Sequence, residues 1–312
     1  MSSLSTLSMP DSYQALFDQY YNQRCQDVCE ISANKEKVYI GRFFDYFRPP
    51  DMPSELFAAL RPKSITDFVI DYDIGHGHGS KRLMINALRS FLRFAYRAGY
   101  LKSDLSILAP NIHVRRMGKI VRSIPQECIN TLLTSIDCST LLGIRDKAII
   151  CLLATYGVRG VQVRHLCLED INWADRLIHF RAAKGGRPID QFLTTQAGNS
   201  LAEYVTKARP ESSHREMFLT ADNPCEPLKK SEQLSRITRK RFLQAGITLP
   251  EGVSYGSHGF RHAFATALYG KVPFKDIVDM LGHRDPSSTL IYGKVDIATL
   301  RKAALPWPGG KS

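Results

Sequence analysis

The sequence predicts a mainly α-helical protein with one small β-hairpin or sheet, divided into two domains. Three observations predict it. Apolar residues recur three and four positions apart through most of the chain, in runs broken by Pro and Gly. Between Ile171 and Leu193 alone the period changes to that of strands. A length of 312 residues exceeds one usual domain, and an apolar fraction of 44% suffices to build cores.

The elements follow in order. Met1 to Thr6 lacks the basic and apolar regions of a secretory signal and reads as a frayed tail. Tyr13 to Tyr21 and Val38 to Phe47 carry helical spacing, and Pro49-Pro50 ends the second run. Ser64 to Tyr72 is a third helix. The fourth runs from about Ser80 to Ala98, with Leu83, Leu88, Leu92 and Ala95 on an inward stripe and Arg89, Arg93 and Arg97 four apart on another. That ridge fits a row of phosphates, and equally a solvated helix face. His76-Gly77-His78-Gly79 lacks carboxylate or thiol partners and reads as a loop, so no metal is assigned there.

Residues 1–110 thus form a helical N-terminal domain. The segment 111–124 holds Arg115, Arg116, Lys119 and Arg122 among few apolar residues and reads as a basic linker, following a nucleic-acid backbone or simply uncommitted. Residues 125–312 form the second domain. Its first helices include Ile149, Leu152 and Leu153 and stop at Tyr156-Gly157. Leu177 to Arg181 and Ile189 to Leu193 read as two strands joined around Gly185-Gly186. Leu234 to Gln244 is a basic helix with Arg236, Arg239, Lys240 and Arg241, and the remainder is helical to about Ala304.

Lys and Arg number 42 against 30 Asp and Glu, so the formal charge of +12 points to a polyanionic partner. DNA, RNA or an anionic membrane would satisfy it. No stretch reaches the roughly 20 apolar residues of a spanning helix, and no aromatic box specific to RNA is present. The seven cysteines are scattered without CxxC pairs, which fits a reducing cytoplasm.

The chemistry-bearing residues lie far apart. Ser257 is placed to cap a helix on which His258 and Arg261, three apart, share a face, with Phe260, Phe264 and Leu268 on the buried stripe. Such a pair can grip a phosphate, although alone it reads as an ordinary surface pair. Phe274 to Leu281 is a short amphipathic helix closed by Gly282, which leaves His283 in a loop. Asp285 to Thr289 then supplies a turn and a helix start, with Tyr292 about one turn on.

The series His258-Gly259-Phe260-Arg261-His262, Leu281-Gly282-His283 and Thr289-Leu290-Ile291-Tyr292 resembles the C-terminal signature of the tyrosine recombinases, or phage integrase family. Thr155-Tyr156-Gly157-Val158-Arg159, continued by Leu166 and Leu168 to Ile171, resembles the family's first-arginine box. Lys184-Gly185-Gly186-Arg187 resembles its lysine hairpin. The likeness covers residues 125 to 300 by motif, and the helical first third resembles the family's core-binding domain in pattern only.

The resemblance implies a core-binding domain joined to a tyrosine-recombinase catalytic domain. It implies catalysis by Arg159, Lys184, His258, Arg261, His283 and Tyr292, through a 3′-phosphotyrosine at Tyr292. Arg159 and Arg261 would meet the non-bridging oxygens. His258 would assist Tyr292, Lys184 would protonate the leaving hydroxyl, and His283 would donate to a phosphate oxygen. Arg187 would contact the backbone at most. DNA contacts are expected from Arg89, Arg93, Arg97, Arg115, Arg116, Lys119, Arg122, Arg236, Arg239, Lys240 and Arg241.

The partner implied is double-stranded DNA, held by four protomers on two recombination sites, with no membrane and with accessory proteins left open. No cofactor is expected, neither nucleotide nor metal, and the chain carries neither a Gly-x-x-x-x-Gly-Lys loop nor an acidic cluster. The family commonly has an acidic residue three after the first arginine. Here it is Gln162, beside the unusual Gly160 and Val161, so the orientation of Arg159 stays open. Two rival readings remain: a type IB topoisomerase-like enzyme and a DNA-binding relative without catalysis.

Overall fold

The protein is described by a computed structural model covering residues 11–47, 53–73, 78–109, 122–183, 186–222 and 224–290. The architecture is mainly α with one small antiparallel sheet, and the chain divides into two compact units, Met1–Gly118 and Lys119–Ser312.

The first unit contains α1 (Asp11–Asp27), α2 (Glu30–Phe47), α3 (Pro53–Ala59), α4 (Pro62–Asp73) and α5 (His78–Arg97), followed by a 3-10 turn at Leu105–Leu108. Four of these helices occupy the predicted runs. The seven residues of α3 complete too few turns to show a period. The core of this unit is aromatic, with Phe91 at 0% exposure and meeting Tyr20 at 5.3 Å and Phe44 at 5.4 Å, both edge to face. Phe43 and Phe68 pack likewise at 5.2 Å. On α5 the inward stripe includes Leu88, Leu92 and Ala95 as predicted, but Leu83 is 48% exposed. Met84 and Ile85 fill the place expected for it, because the stripe running back from Leu88 and Leu92 meets those positions.

In the second unit, α6 (Gln126–Ser135), α7 (Leu141–Tyr156) and α8 (Gly160–Arg164) precede a sheet of β1 (Ile171–Asn172), β2 (Leu177–Phe180) and β3 (Ile189–Phe192). The order is β1-β2-β3, fully antiparallel, with Ile178 opposite Gln191 and Phe180 opposite Ile189. Then come α9 (Thr195–Glu203), α10 (Ser231–Gln244), α11 (Ser257–Leu268), α12 (Phe274–Met280) and a 3-10 turn at Pro286–Ser288. Helix α7 is the central element: Ile149, Ile150, Leu152 and Leu153 are all fully buried, and α9, α10 and α11 pack around it. Thr140 caps its start through the amide of Gly143, and left-handed Gly157 ends it.

Two expectations need correction or fall outside what is described. The N-cap of α11 is Gly256, with Ser257 its first helical residue and no side-chain cap bond, because the chain is extended one position earlier than expected. The helix expected up to Ala304 falls on residues 291–312, which lie outside the described residues. The same holds for His76, Arg115, Arg116, Lys119, Lys184 and Tyr292.

Candidate active site

Arg261 projects from the first turns of α11 and is 4% exposed, although its type is seldom buried. Its guanidinium is held by a fixed set of acceptors: Nη1 donates to the Gly157 carbonyl at 2.9 Å, and Nη2 donates to the Leu281 carbonyl at 2.8 Å. These carbonyls end α7 and α12. Arg261 therefore ties three helices together while its planar fork keeps one orientation.

The third partner of the fork is His283, whose Nε2 lies 2.7 Å from Nη2 of Arg261. A guanidinium only donates, so Nε2 must accept. The His283 pKa is lowered to about 4 by burial and by the charges of Arg261 and Arg159, so the ring is neutral at pH 7. Its single proton then sits on Nδ1 and is donated to Thr289 Oγ1 at 2.7 Å. This differs from the expectation that His283 donates to a phosphate oxygen: both ring nitrogens are engaged within the protein here. Gly282 lets the chain turn into this loop, with φ of +60° after α12. Thr289 belongs to the motif that ends at Tyr292, and no local pattern in the sequence points to its bond with His283.

Arg159 is the N-cap of α8 and reaches the same neighbourhood. Its Nη1 lies 3.0 Å from where a Cβ on Gly186 would stand, and the Gly282 carbonyl lies 2.8 Å from that point. The Arg187 amide donates to the same Gly282 carbonyl at 3.3 Å. The first-arginine box, the base of the hairpin and the loop of His283 thus converge. Gln162, at 2% exposure, explains how the turn is held without an acid: its amide accepts from the Arg159 backbone N–H at 3.0 Å and donates to the Arg181 carbonyl at 3.0 Å. A carboxylate can do only the first. Gly160 sits in a close approach: a Cβ there would stand 2.7 Å from Ser257 Oγ and 2.8 Å from a Leu234 methyl, so a larger residue makes those side chains shift.

His258 is exposed at the start of α11, its ring 6.4 Å from that of half-buried His262. Burial, the neighbouring His258 and Arg261 lower the His262 pKa to about 4. Lys184 and Tyr292, the remaining members of the expected set, lie outside the described residues.

The residues expected to meet DNA divide by environment. Arg89, Arg93 and Arg97 line one polar groove of about 370 Å³ with Arg24 and Asn86, between α1 and α5. Arg93 and Arg97 are exposed, whereas Arg89 donates to the Ala109 carbonyl at 2.9 Å. Arg236, Arg239 and Lys240 are exposed on α10, and exposed Arg122 donates to the Glu251 carbonyl. Arg241 does not belong with them. Its side chain is only 10% exposed and its guanidinium grips Asp146 at 2.8 Å, with Arg145 on the other carboxylate oxygen at 2.7 Å. Helical period places it on the inner side of α10, which the spacing of basic residues alone did not reveal.

Residues 122–298 match the phage integrase family. A putative integrase/recombinase y4rA of Sinorhizobium fredii (strain NBRC 101917 / NGR234) is 34% identical over 294 residues, covering 93% of this chain and 70% of that protein. Another from the same strain, y4rF, is 31% identical over 279 residues, covering 88% of this chain and 65% of that protein. The chain thus spans about two thirds of the length of these two relatives. Tyrosine recombinase XerC of Oceanobacillus iheyensis is 30% identical over 225 residues, with 70% and 71% covered.

The fold is that of solved recombinases. XerH bound to palindromic difH substrate, in a post-cleavage complex, aligns with a TM-score of 0.71 at 19% identity, covering 93% of this chain and 84% of that one. A lambda integrase (75-356) dimer bound to a COC′ core site aligns with a TM-score of 0.65 at 17% identity, covering 89% and 94%. The chain belongs to the phage integrase family.

Proposed function

We propose that this chain is a site-specific DNA recombinase that cuts and rejoins duplex DNA through a 3′-phosphotyrosine at Tyr292, in integration, excision or transposition. The observation that carries the reading is the convergence of Arg159, Arg261 and His283 from three separate motifs, with the base of the lysine hairpin beside them. Attack on a phosphodiester crowds charge onto non-bridging oxygens, and preorganised guanidinium forks stabilise it without reorganising. Arg159 and Arg261 take that role.

Tyr292 is the nucleophile. A phenol of pKa about 10 is protonated at neutral pH, so its attack needs help, which exposed His258 gives at the open start of α11. The leaving 5′-hydroxyl departs poorly as an alkoxide, and Lys184 supplies its proton. The phosphotyrosine conserves the energy of the broken bond, so religation uses neither nucleotide nor metal ion. Gln162 favours an inactive relative on type alone, yet its two hydrogen bonds position Arg159 and support an active reading.

Residues 1–110 act as the core-binding domain, 111–124 as a basic linker and 125–312 as the catalytic domain, with Arg93, Arg97, Arg236, Arg239 and Lys240 offering exposed charge to the DNA backbone. A lambda integrase tetramer bound to a Holliday junction aligns with a TM-score of 0.66, which supports assembly of this chain as a tetramer on two sites.

The test is a randomised library of duplexes carrying 5′-bridging phosphorothiolates, whose cleaved thiolate cannot religate. The wild-type chain accumulates a denaturation-resistant DNA adduct, and Tyr292→Phe accumulates none. Tight binding with no adduct from the wild type would contradict the reading.

A further inference from the structure

We propose that Thr289 is a positioning residue: by accepting the Nδ1 proton of His283 it fixes the ring tautomer whose Nε2 lone pair holds Arg261. The proposal rests on the reading of Arg261 as a phosphate-binding group. It concerns a residue to which the resemblance in sequence assigns no task.

The geometry is specific. Thr289 is 0% exposed and three residues before Tyr292 in sequence. Its own amide donates to the Pro286 carbonyl at 2.8 Å, and the Ser288 amide donates to the Asp285 carbonyl at 3.0 Å, so the 3-10 turn at Pro286–Ser288 sets where its hydroxyl lies. His283 is anchored independently, its amide donating to the Val278 carbonyl at 3.0 Å. The hydroxyl and the ring therefore meet from two fixed backbones, at 2.7 Å.

A neutral imidazole has one N–H, and its position decides what the other nitrogen can do. With the proton on Nε2, that nitrogen would face the donating Nη2 of Arg261 at 2.7 Å, donor against donor. With it on Nδ1, every link from Thr289 through His283 to Arg261 pairs a donor with an acceptor. Buried polar groups left without partners are costly, so the second arrangement is strongly favoured. Thr289 is the acceptor that completes it. Through these links, correct folding of the turn leading to Tyr292 is coupled to the aim of Arg261.

The charged groups around the ring are Arg261, Arg159 and Asp285. Both guanidiniums oppose ring protonation, which keeps the tautomer question separate from charge. No proton leaves the ring in this role. His283 acts as a neutral strut, and the phosphate-facing work falls to the arginines.

The experiment uses full-length protein with 15N-labelled histidine, the His283 signals being assigned by their loss in His283→Gln. At pH 7, wild type and Thr289→Ser show His283 as the Nδ1–H tautomer, and Thr289→Val shifts it towards Nε2–H. Single-turnover cleavage of saturating phosphorothiolate duplex falls on the order of a hundredfold in Thr289→Val, with DNA affinity unchanged, and Thr289→Ser restores most of the rate. An Nε2–H ring in the wild type, or a wild-type tautomer or cleavage rate in Thr289→Val, overturns the proposal. If the wild type itself fails to cleave, the recombinase reading falls, while the tautomer of wild type and Thr289→Ser still decides the role of Thr289.

Discussion

The two units fill their interiors with different chemistry. In Met1–Gly118 the core joins aliphatic side chains to a cluster of edge-on and tilted rings, and the buried polar or charged residues among those described are Lys81 and Ser106. In Lys119–Ser312 the core is richer in aliphatic side chains, and this unit also buries Asp146, Gln162, Arg164, Asp170, Thr238, Arg261, His283 and Thr289. Burying charge is expensive unless it is fully paired, and apolar substitutes often serve stability as well or better. The contrast lies in how charge is held: among the described residues the first unit buries one charged side chain, Lys81, while the second buries several ionic groups whose direction is thereby fixed.

The largest effect that sharpens this contrast is on stability. Asp146→Ala leaves Arg145 and Arg241, at 11% and 10% side-chain exposure, without their shared carboxylate. Urea unfolding should show a loss of about 3–5 kcal/mol. Phe91→Ala should cost the first unit a similar ~3–5 kcal/mol by opening a cavity among rings. If Asp146→Ala costs under about 1 kcal/mol, the second unit's charges are better solvated than their burial implies and the contrast weakens.

A moderate effect concerns pH. In the folded chain His262 and His283 stay neutral down to about 4, whereas an unfolded imidazole titrates near 6.5. Between those values the unfolded state binds more protons, so stability falls as pH drops from about 6.5 towards 4 and is insensitive to these groups above that window. Thermal melts across pH 4 to 7 should show this slope, and His283→Gln should flatten part of it. An unchanged slope in that variant would remove His283 from the account.

The smallest effect on folding belongs to the outer charges. Arg93→Ala and Arg97→Ala, on the exposed face of α5, should change stability by less than about 0.5 kcal/mol. Each should weaken DNA binding across sequences and lower the slope of log affinity against log salt by about one for every phosphate no longer neutralised. A sequence-selective weakening would instead mark an arginine that reads a base.

Much of this was legible in the residues because helical period and punctuation are local signals. The stripe of Leu88, Leu92 and Ala95, the stop at Gly157 and the strand pair closing Phe180 on Ile189 needed nothing beyond neighbours in sequence. Short elements escaped for the same reason, as α3 and β1 complete too little of a period to register. The motifs located Arg159, Arg261 and His283, but not how they are held. That information is non-local: the acceptors of Arg261 end two other helices, Gln162 bonds to Arg181 across 19 residues, and Arg241 finds Asp146 across 95. A run of basic residues reveals charge but not direction, which is why Arg241 was grouped with a surface it does not share.

The central claim is that guanidinium groups gathered by separate motifs serve the charge on a scissile phosphate. Replacing one non-bridging oxygen of that phosphate by methyl removes the charge and leaves the ester to be cut. Single-turnover cleavage of matched phosphate and methylphosphonate duplexes, of a sequence selected by adduct formation, should be measured for wild type and Arg159→Ala. The account predicts a deficit on the order of a hundredfold for Arg159→Ala on the phosphate, largely abolished on the methylphosphonate. An equal deficit on both substrates would contradict it.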